Sequence, residues 1–158
     1  MTTQVCRQCN AAVEPLRLGR VEGEDSGIRI WLEGLPAIEC ANHHKRFPSA
    51  EFPLKFIETM LKSDGLITAE PAVEKGLFRK HSHCPDCGQQ LPEQSSSASA
   101  HQVRVDMDEF DAVTVELAVP LFKCPGCGKG ATLPKKGVER GVMQAVANAF
   151  RSADIPPG

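Results

Sequence analysis

Apolar and polar residues alternate with period two in two well-separated stretches of this chain. In the first, Ile28, Ile30 and Leu32 alternate with Arg29, Trp31 and Glu33. In the second, Val113, Val115, Leu117 and Val119 mark every other position. A period of two places one set of side chains on one face of a strand, so each stretch predicts a half-buried β-strand. Each is preceded by a shorter strand-like run and an acidic turn, "EGEDSG" at 22–27 and "DMDEFD" at 106–111. Each then bends at a proline, Pro36 or Pro120, and runs into a cysteine. Both read as β-hairpins.

The period changes to that of a helix after each hairpin. Residues 49–65 carry Leu54, Ile57, Met60 and Leu61 on one helical face, with Ser49 and Gly65 as cap signals. Residues 136–155 carry Val138, Val142, Ala145, Val146, Ala149 and Phe150 at helical spacing. Between the two halves, "LITAEPAVEKGLFRKHSH" contains Pro71 and Gly76 and reads as a joint, part of which can pair as a strand. The Ser/Ala-rich "LPEQSSSASA" at 91–100 reads as a mobile insertion, and "IPPG" as a loose tail.

The two halves align as a repeat. Laying Cys84 on Cys6 and Cys124 on Cys40 brings Pro36 onto Pro120. The expected organisation is a first unit at 1–66, a linker at 67–79, a second unit at 80–153 and a tail at 154–158. The fold class is then small α+β: two tandem zinc-ribbon hairpin modules, each followed by a short helix.

Composition sharpens this. The chain has 158 residues, 5% of them aromatic, with seven Phe, one Trp and no Tyr. Two small modules with so few aromatics have thin cores, and small modules need a staple. The cysteines offer one. Three C-x2-C pairs stand at Cys6/Cys9, Cys84/Cys87 and Cys124/Cys127. The seventh cysteine, Cys40, precedes His43 at the same spacing in "CANHHKRF". Cys6, Cys9, Cys40 and His43 make one tetrahedral set, and Cys84, Cys87, Cys124 and Cys127 a second. Both are sets that Zn2+ prefers, so two zinc ions are expected. His44, one residue on, also reaches a metal and stays an alternative to His43. Gly88 and Gly128 follow their pairs, where a knuckle turn needs a positive φ, and Asn10 stands in the same place.

These motifs resemble the zinc-finger region of the YgiT type, the zinc-binding half of the MqsA-like antitoxins. The resemblance rests on Cys6, Cys9, Pro36, Ala37 and Cys40, with His43 as a substitution, and on Cys84, Cys87, Pro120, Cys124 and Cys127. It covers nearly the whole chain as two copies. It implies the ribbon fold, zinc and protein binding. It does not imply repression, because the two isolated helical segments leave no room for a helix-turn-helix domain.

Chemistry by the metal is not expected. A catalytic zinc keeps an open position, whereas four cysteines close one. There is no H-x-E with P-C-x-x-C, as a zinc deaminase needs, and no glycine-rich phosphate loop. "DMDEFD" lacks the glycine and the final glutamate of a calcium loop. His81 and His83 beside Cys84 read as exposed polar residues. The expected role is non-catalytic: a protein-interaction or assembly module, or a small subunit of a larger complex, with another protein as partner. Trp31 and Phe150 are the candidate contact residues.

The alternative is nucleic-acid binding by the second module's basic knuckle. Lys123, Lys129, Lys135, Lys136 and Arg140 lie around it, and Lys75, Arg79 and Lys80 approach it. A formal net charge of −2 and the scarcity of aromatics argue against it. The start of the chain has no apolar signal core and no stretch is long enough to span a bilayer, so a cytoplasmic protein without membrane contact is expected.

Overall fold

A computed structural model of the chain describes residues 5–63, 65–107 and 109–155. It is a small α+β structure of mostly antiparallel strands with two helices. Strands β1 (Val13–Arg17) and β2 (Val21–Asp25) form one arm of the first hairpin, and β3 (Ile28–Glu33) and β4 (Pro36–Cys40) form the other. The hairpin reverses at Ser26 and Gly27, both at positive φ, the conformation a two-residue turn between right-twisted strands demands. It bends midway, where the Leu18 N–H donates to the Leu35 carbonyl at 2.9 Å and the Gly34 N–H to the Leu18 carbonyl at 3.0 Å. β4 also pairs with the short β5 (Lys45–Arg46).

The second hairpin is longer. β8 (Ser97–Met107) and β9 (Phe110–Lys123) pair from Ser97 opposite Leu121 to Met107 opposite Phe110. Residues 97–100, expected to be part of a mobile insertion, are thus strand. A Ser/Ala composition does not by itself bury apolar area, but here the backbone finds a partner in the apolar end of β9, and pairing overrides composition.

The two hairpins share a sheet. β9 continues on its other edge to β3, with Ile30 opposite Leu117, Trp31 opposite Glu116 and Leu32 opposite Val115. Beyond β3 lies β2, and the C-terminal end of β9 pairs with β10 (Gly130–Ala131). The inward positions read from the alternation, Ile28, Ile30, Leu32, Val113, Val115, Leu117 and Val119, are all buried. They belong to one core.

Two helices close that core, each on the other hairpin. α2 (Lys135–Ser152) lies on β2 and β3, while α1 (Phe52–Leu61) lies on β8. A Cβ at Gly23 would overlap the Ala145 carbonyl, so α2 meets β2 backbone to backbone. That close approach explains the small-residue stripe of Ala145 and Ala149. The inward face expected of α2, from Val138 to Phe150, is buried throughout.

The face expected of α1 is corrected. Leu54 is exposed, and the buried residues are Phe52, Pro53, Phe56 and Met60. Aromatic bulk decides the orientation. Phe52 stacks on Phe47 and Phe56 and meets Phe110 edge-on at 5.4 Å, and Phe47 meets Phe150 edge-on at 4.7 Å. Five of the seven phenylalanines thus pool in one place, each ring burying more apolar area than a leucine. Ser49 does not cap α1 by its side chain; the N-cap position is Glu51, without a side-chain hydrogen bond.

The joint between the halves holds a small hairpin of β6 (Val73–Lys75) and β7 (His81–His83). Among the described residues, no helix is long and apolar enough to cross a membrane.

Candidate metal centres

Four tight turns carry the seven cysteines, and three of them are built alike. In each, the first cysteine's carbonyl accepts the N–H four residues on: Asn10 to Cys6 at 2.8 Å, Gly88 to Cys84 and Gly128 to Cys124, both at 3.0 Å. In each, the first cysteine's N–H donates to the carbonyl five residues on, Ala11, Gln89 or Lys129, at 2.8 Å. Asn10, Gly88 and Gly128 all have positive φ, as their position after the pair predicted.

The fourth turn is one residue shorter. The His43 N–H donates to the Cys40 carbonyl at 2.9 Å, and the Cys40 N–H to the His44 carbonyl at 3.1 Å. The left-handed residue is now His43, with φ of 64°. The place held by Cys9, Cys87 and Cys127 in the other turns therefore falls to Asn42, and the imidazole that enters the cluster comes from beyond the turn.

This corrects the expected ligand. His43 points away, with 84% of its side chain exposed and Nδ1 3.7 Å from the Glu39 carboxylate. His44 places Nδ1 3.4 Å from both Cys6 Sγ and Cys40 Sγ. The longer histidine side chain spans the distance the shortened turn leaves open. Sequence spacing could not separate the two, because either residue can occupy the left-handed position.

Cys6, Cys9, Cys40 and His44 form one cluster and Cys84, Cys87, Cys124 and Cys127 the other; in each, the four ligand atoms lie within 4.8 Å of one another. Cys9 Sγ is 3.6 Å from Cys40 Sγ, Cys84 Sγ 3.6 Å from Cys127 Sγ, and Cys87 Sγ 3.3 Å from Cys124 Sγ. A tetrahedron with metal–sulfur bonds of about 2.3 Å has edges of about 3.8 Å. These three separations are within about half an ångström of that edge and far beyond a disulfide bond of about 2 Å. The donor sets fit a metal ion.

The thiols are prepared for one. A side-chain hydrogen bond from Asn42 leads in holding Cys9 down to about 6. The Cys127 backbone N–H leads in holding Cys124 at about 6. Cys87 sits at the other extreme: the Gln89 N–H lowers it, but Cys124 beside it and burial together push it up to about 11. Cys124 is thus the more acidic of the two, and a cation bound here would displace the proton from Cys87. Hydrogen bonds from the His44 ring to Cys9 and Cys6 raise His44. The first cysteine of every turn is buried, and Cys87 and Cys127 lie at the surface.

His81 and His83 stand outside both clusters. His83 Nδ1 is 3.0 Å from the His81 carbonyl, and His81 Nδ1 3.4 Å from Gln90. Phe150, expected as a contact residue, is a core residue at 1% exposure and cannot anchor a partner. Trp31 lies half-buried on the sheet face away from the helices. Arg20 and Arg29 flank its ring, each 5.5 Å from the centroid, and its Nε1–H donates to Glu22 at 2.9 Å. Lys135 and Lys136 are exposed at the start of α2. Lys129 pairs with Asp86 of the neighbouring turn.

No family model, curated protein or solved structure matches this chain.

Proposed function

We propose that the protein is a non-catalytic interaction module whose two hairpins are zinc ribbons, each pinned at its open end by one Zn2+ ion. The observation that carries this reading is the full donor set: each cluster supplies four protein ligand atoms within 4.8 Å of one another, the number that fills a tetrahedral zinc site. Zinc is the ion these donors select, since three thiolates with an imidazole, and four thiolates, are closed structural sets for it. The turn–hairpin–turn–helix order in both halves supports the likeness to the YgiT-type zinc fingers.

The partner in this reading is another protein. The uncovered sheet face around Trp31 supports it, because Trp and Arg together are the residues that most often carry binding energy at protein interfaces. Nucleic acid is the weaker reading, since Lys129 and Lys80 of the basic region are tied to Asp86 and Glu74.

Native mass spectrometry tests the metal and pull-down tests the role. Two zinc ions per chain are expected. The Co2+-substituted protein should show tetrahedral bands that added azide or cyanide leaves unchanged. A stoichiometric protein that survives nuclease should co-purify and be lost with Trp31→Ala. A cobalt spectrum that shifts with azide sinks the closed-site reading, and nuclease-sensitive co-purification sinks the protein-partner reading.

A further inference from the structure

The β6–β7 hairpin carries the most exposed apolar residues of the described chain. Leu77 is 95% exposed and Phe78 99% exposed, side by side in the loop between the strands. Val73 on the same hairpin is 42% exposed. The remaining exposed large apolar residues, Val5, Leu54, Leu61 and Met143, are spread over other elements. Scattered single residues need no explanation, whereas an adjacent pair standing free at an apex does.

The apex is held in shape. Gly76 has φ of 133°, and a Cβ there would overlap the Arg79 carbonyl, so the loop closes too tightly for any other residue. At its base the Ala72 N–H donates to Thr132 at 3.1 Å, the Thr132 N–H to Glu70 at 2.8 Å, and the Leu91 N–H to Ser82 at 2.9 Å. Beneath lies a second small core of Ala72, Cys84, Leu91, Cys124 and Ala131. Two of its five members are thiols of the second metal cluster, so the cluster supports the hairpin from below.

Cations stand one step behind the apex: Lys75 on one side, Arg79 and Lys80 on the other. Lys80 pairs with Glu74 at 3.3 Å, while Lys75 and Arg79 make no ion pair among the described residues. The finger therefore presents apolar side chains in front and net positive charge behind.

We propose that this finger docks on an anionic lipid bilayer, with Leu77 and Phe78 entering the interface and Lys75 and Arg79 meeting the headgroups. A stable protein interface buries roughly 1,000 Å² or more, and two side chains and a flanking valine do not supply it. Single-stranded nucleic acid is held by several stacking aromatics along a run of cations, and the finger has one aromatic. A bilayer asks only for apolar side chains that reach the acyl boundary and basic residues at headgroup height. One finger of this size gives weak, reversible attachment. The contact is independent of the protein-partner reading above, and either can fail alone.

Vesicle co-sedimentation of the full-length, zinc-loaded protein tests the proposal, with phosphatidylcholine vesicles containing about one-third phosphatidylglycerol compared with pure phosphatidylcholine. Anionic vesicles should bind at least about tenfold better, and added salt should weaken them. The double substitution Leu77→Ser, Phe78→Ser should reduce binding about a hundredfold, and Lys75→Glu with Arg79→Glu should abolish the preference for anionic lipid. Both variants alter exposed side chains only, so an unchanged zinc count of two verifies the fold. Phe78→Trp should add a fluorescence component that shifts to the blue with anionic vesicles, which Trp31 alone does not show. Absence of vesicle binding, equal binding to neutral lipid, undiminished binding by the double serine variant, or displacement by a single-stranded oligonucleotide that takes over the same residues each overturns it.

Discussion

Substituting the two adjacent histidines separately should give opposite results. His44→Ala removes one of four ligand atoms from the first cluster, an imidazole whose Nδ1 lies 3.4 Å from two thiols. Structural zinc binding of this type is worth about 10–16 kcal/mol in all, so one ligand in four accounts for about 3–4 kcal/mol. That is a loss of about two to three orders of magnitude in affinity at this cluster. His43→Gly removes an exposed imidazole that contributes no ligand atom, and it relieves a left-handed backbone at φ of 64°. An L-residue other than glycine bears roughly 1–2 kcal/mol there. The protein should therefore keep both ions and gain about 1 kcal/mol, raising Tm by about 2–4 °C for a chain this long. Competition with a chromophoric chelator reads the affinities, and thermal unfolding in excess zinc reads the stability. An ion lost from His43→Gly and kept by His44→Ala would refute the short-turn geometry.

Three further outcomes follow from the packing and the clusters. Gly23→Ala places a methyl group against the backbone of α2 and should destabilise the fold by about 1–3 kcal/mol in chemical denaturation, more than alanine costs at an open strand position. Cys84→Ser and Cys124→Ser should each lose one zinc ion by native mass spectrometry and raise amide exchange at about residues 70–92, around the second small core, while the main core stays protected. Zinc affinity should fall as pH drops, because raised thiols such as Cys87 already release a proton on binding, and most steeply below about 6, where Cys9 and Cys124, lowered from 9, also take up protons that compete with the ion; stability supplied by the metal is present above this range and lost below it, and loading unchanged at pH 5 would contradict it.

The hairpin strands were legible because alternation is a local signal: Ile28, Ile30 and Leu32 point inward whatever lies opposite. Seven of the eight cluster positions, the cysteines, were legible for a similar reason, since C-x2-C spacing and the residue after it define three of the turns and Cys40 is the one cysteine left for the fourth. His44 was not, because the difference between the two kinds of turn is one backbone hydrogen bond and neither histidine advertises which residue becomes left-handed. The inward face of α1 was misread through Leu54 because its orientation depends on Phe47, Phe110 and Phe150, which lie on other elements. Leu77 and Phe78 gave no signal at all. Two apolar residues in a loop look like any other pair until the fold leaves them uncovered.

The repeat also concealed how the halves depend on one another. Each hairpin contributes alternating inward residues, Ile28, Ile30 and Leu32 from one and Val113, Val115 and Leu117 from the other, and the register pairs Ile30 with Leu117 and Leu32 with Val115. β3 and β9 thus run antiparallel about the Trp31–Glu116 pair and join the two halves in one sheet. The helices cross between the halves as well, α2 covering β2 and β3 while α1 covers β8. Cut between residues 66 and 67, the first fragment would keep its metal cluster but expose Ile28, Ile30 and Leu32, all fully buried in the whole chain. At about 1.5–3 kcal/mol for each, that exposure approaches the entire stability of a small domain. Neither 1–66 nor 67–158 should fold alone with zinc, and mixing them should restore the far-ultraviolet circular dichroism of the intact chain. Independent, cooperative unfolding of the isolated first fragment would show that its metal suffices, and that the shared sheet is docking rather than core.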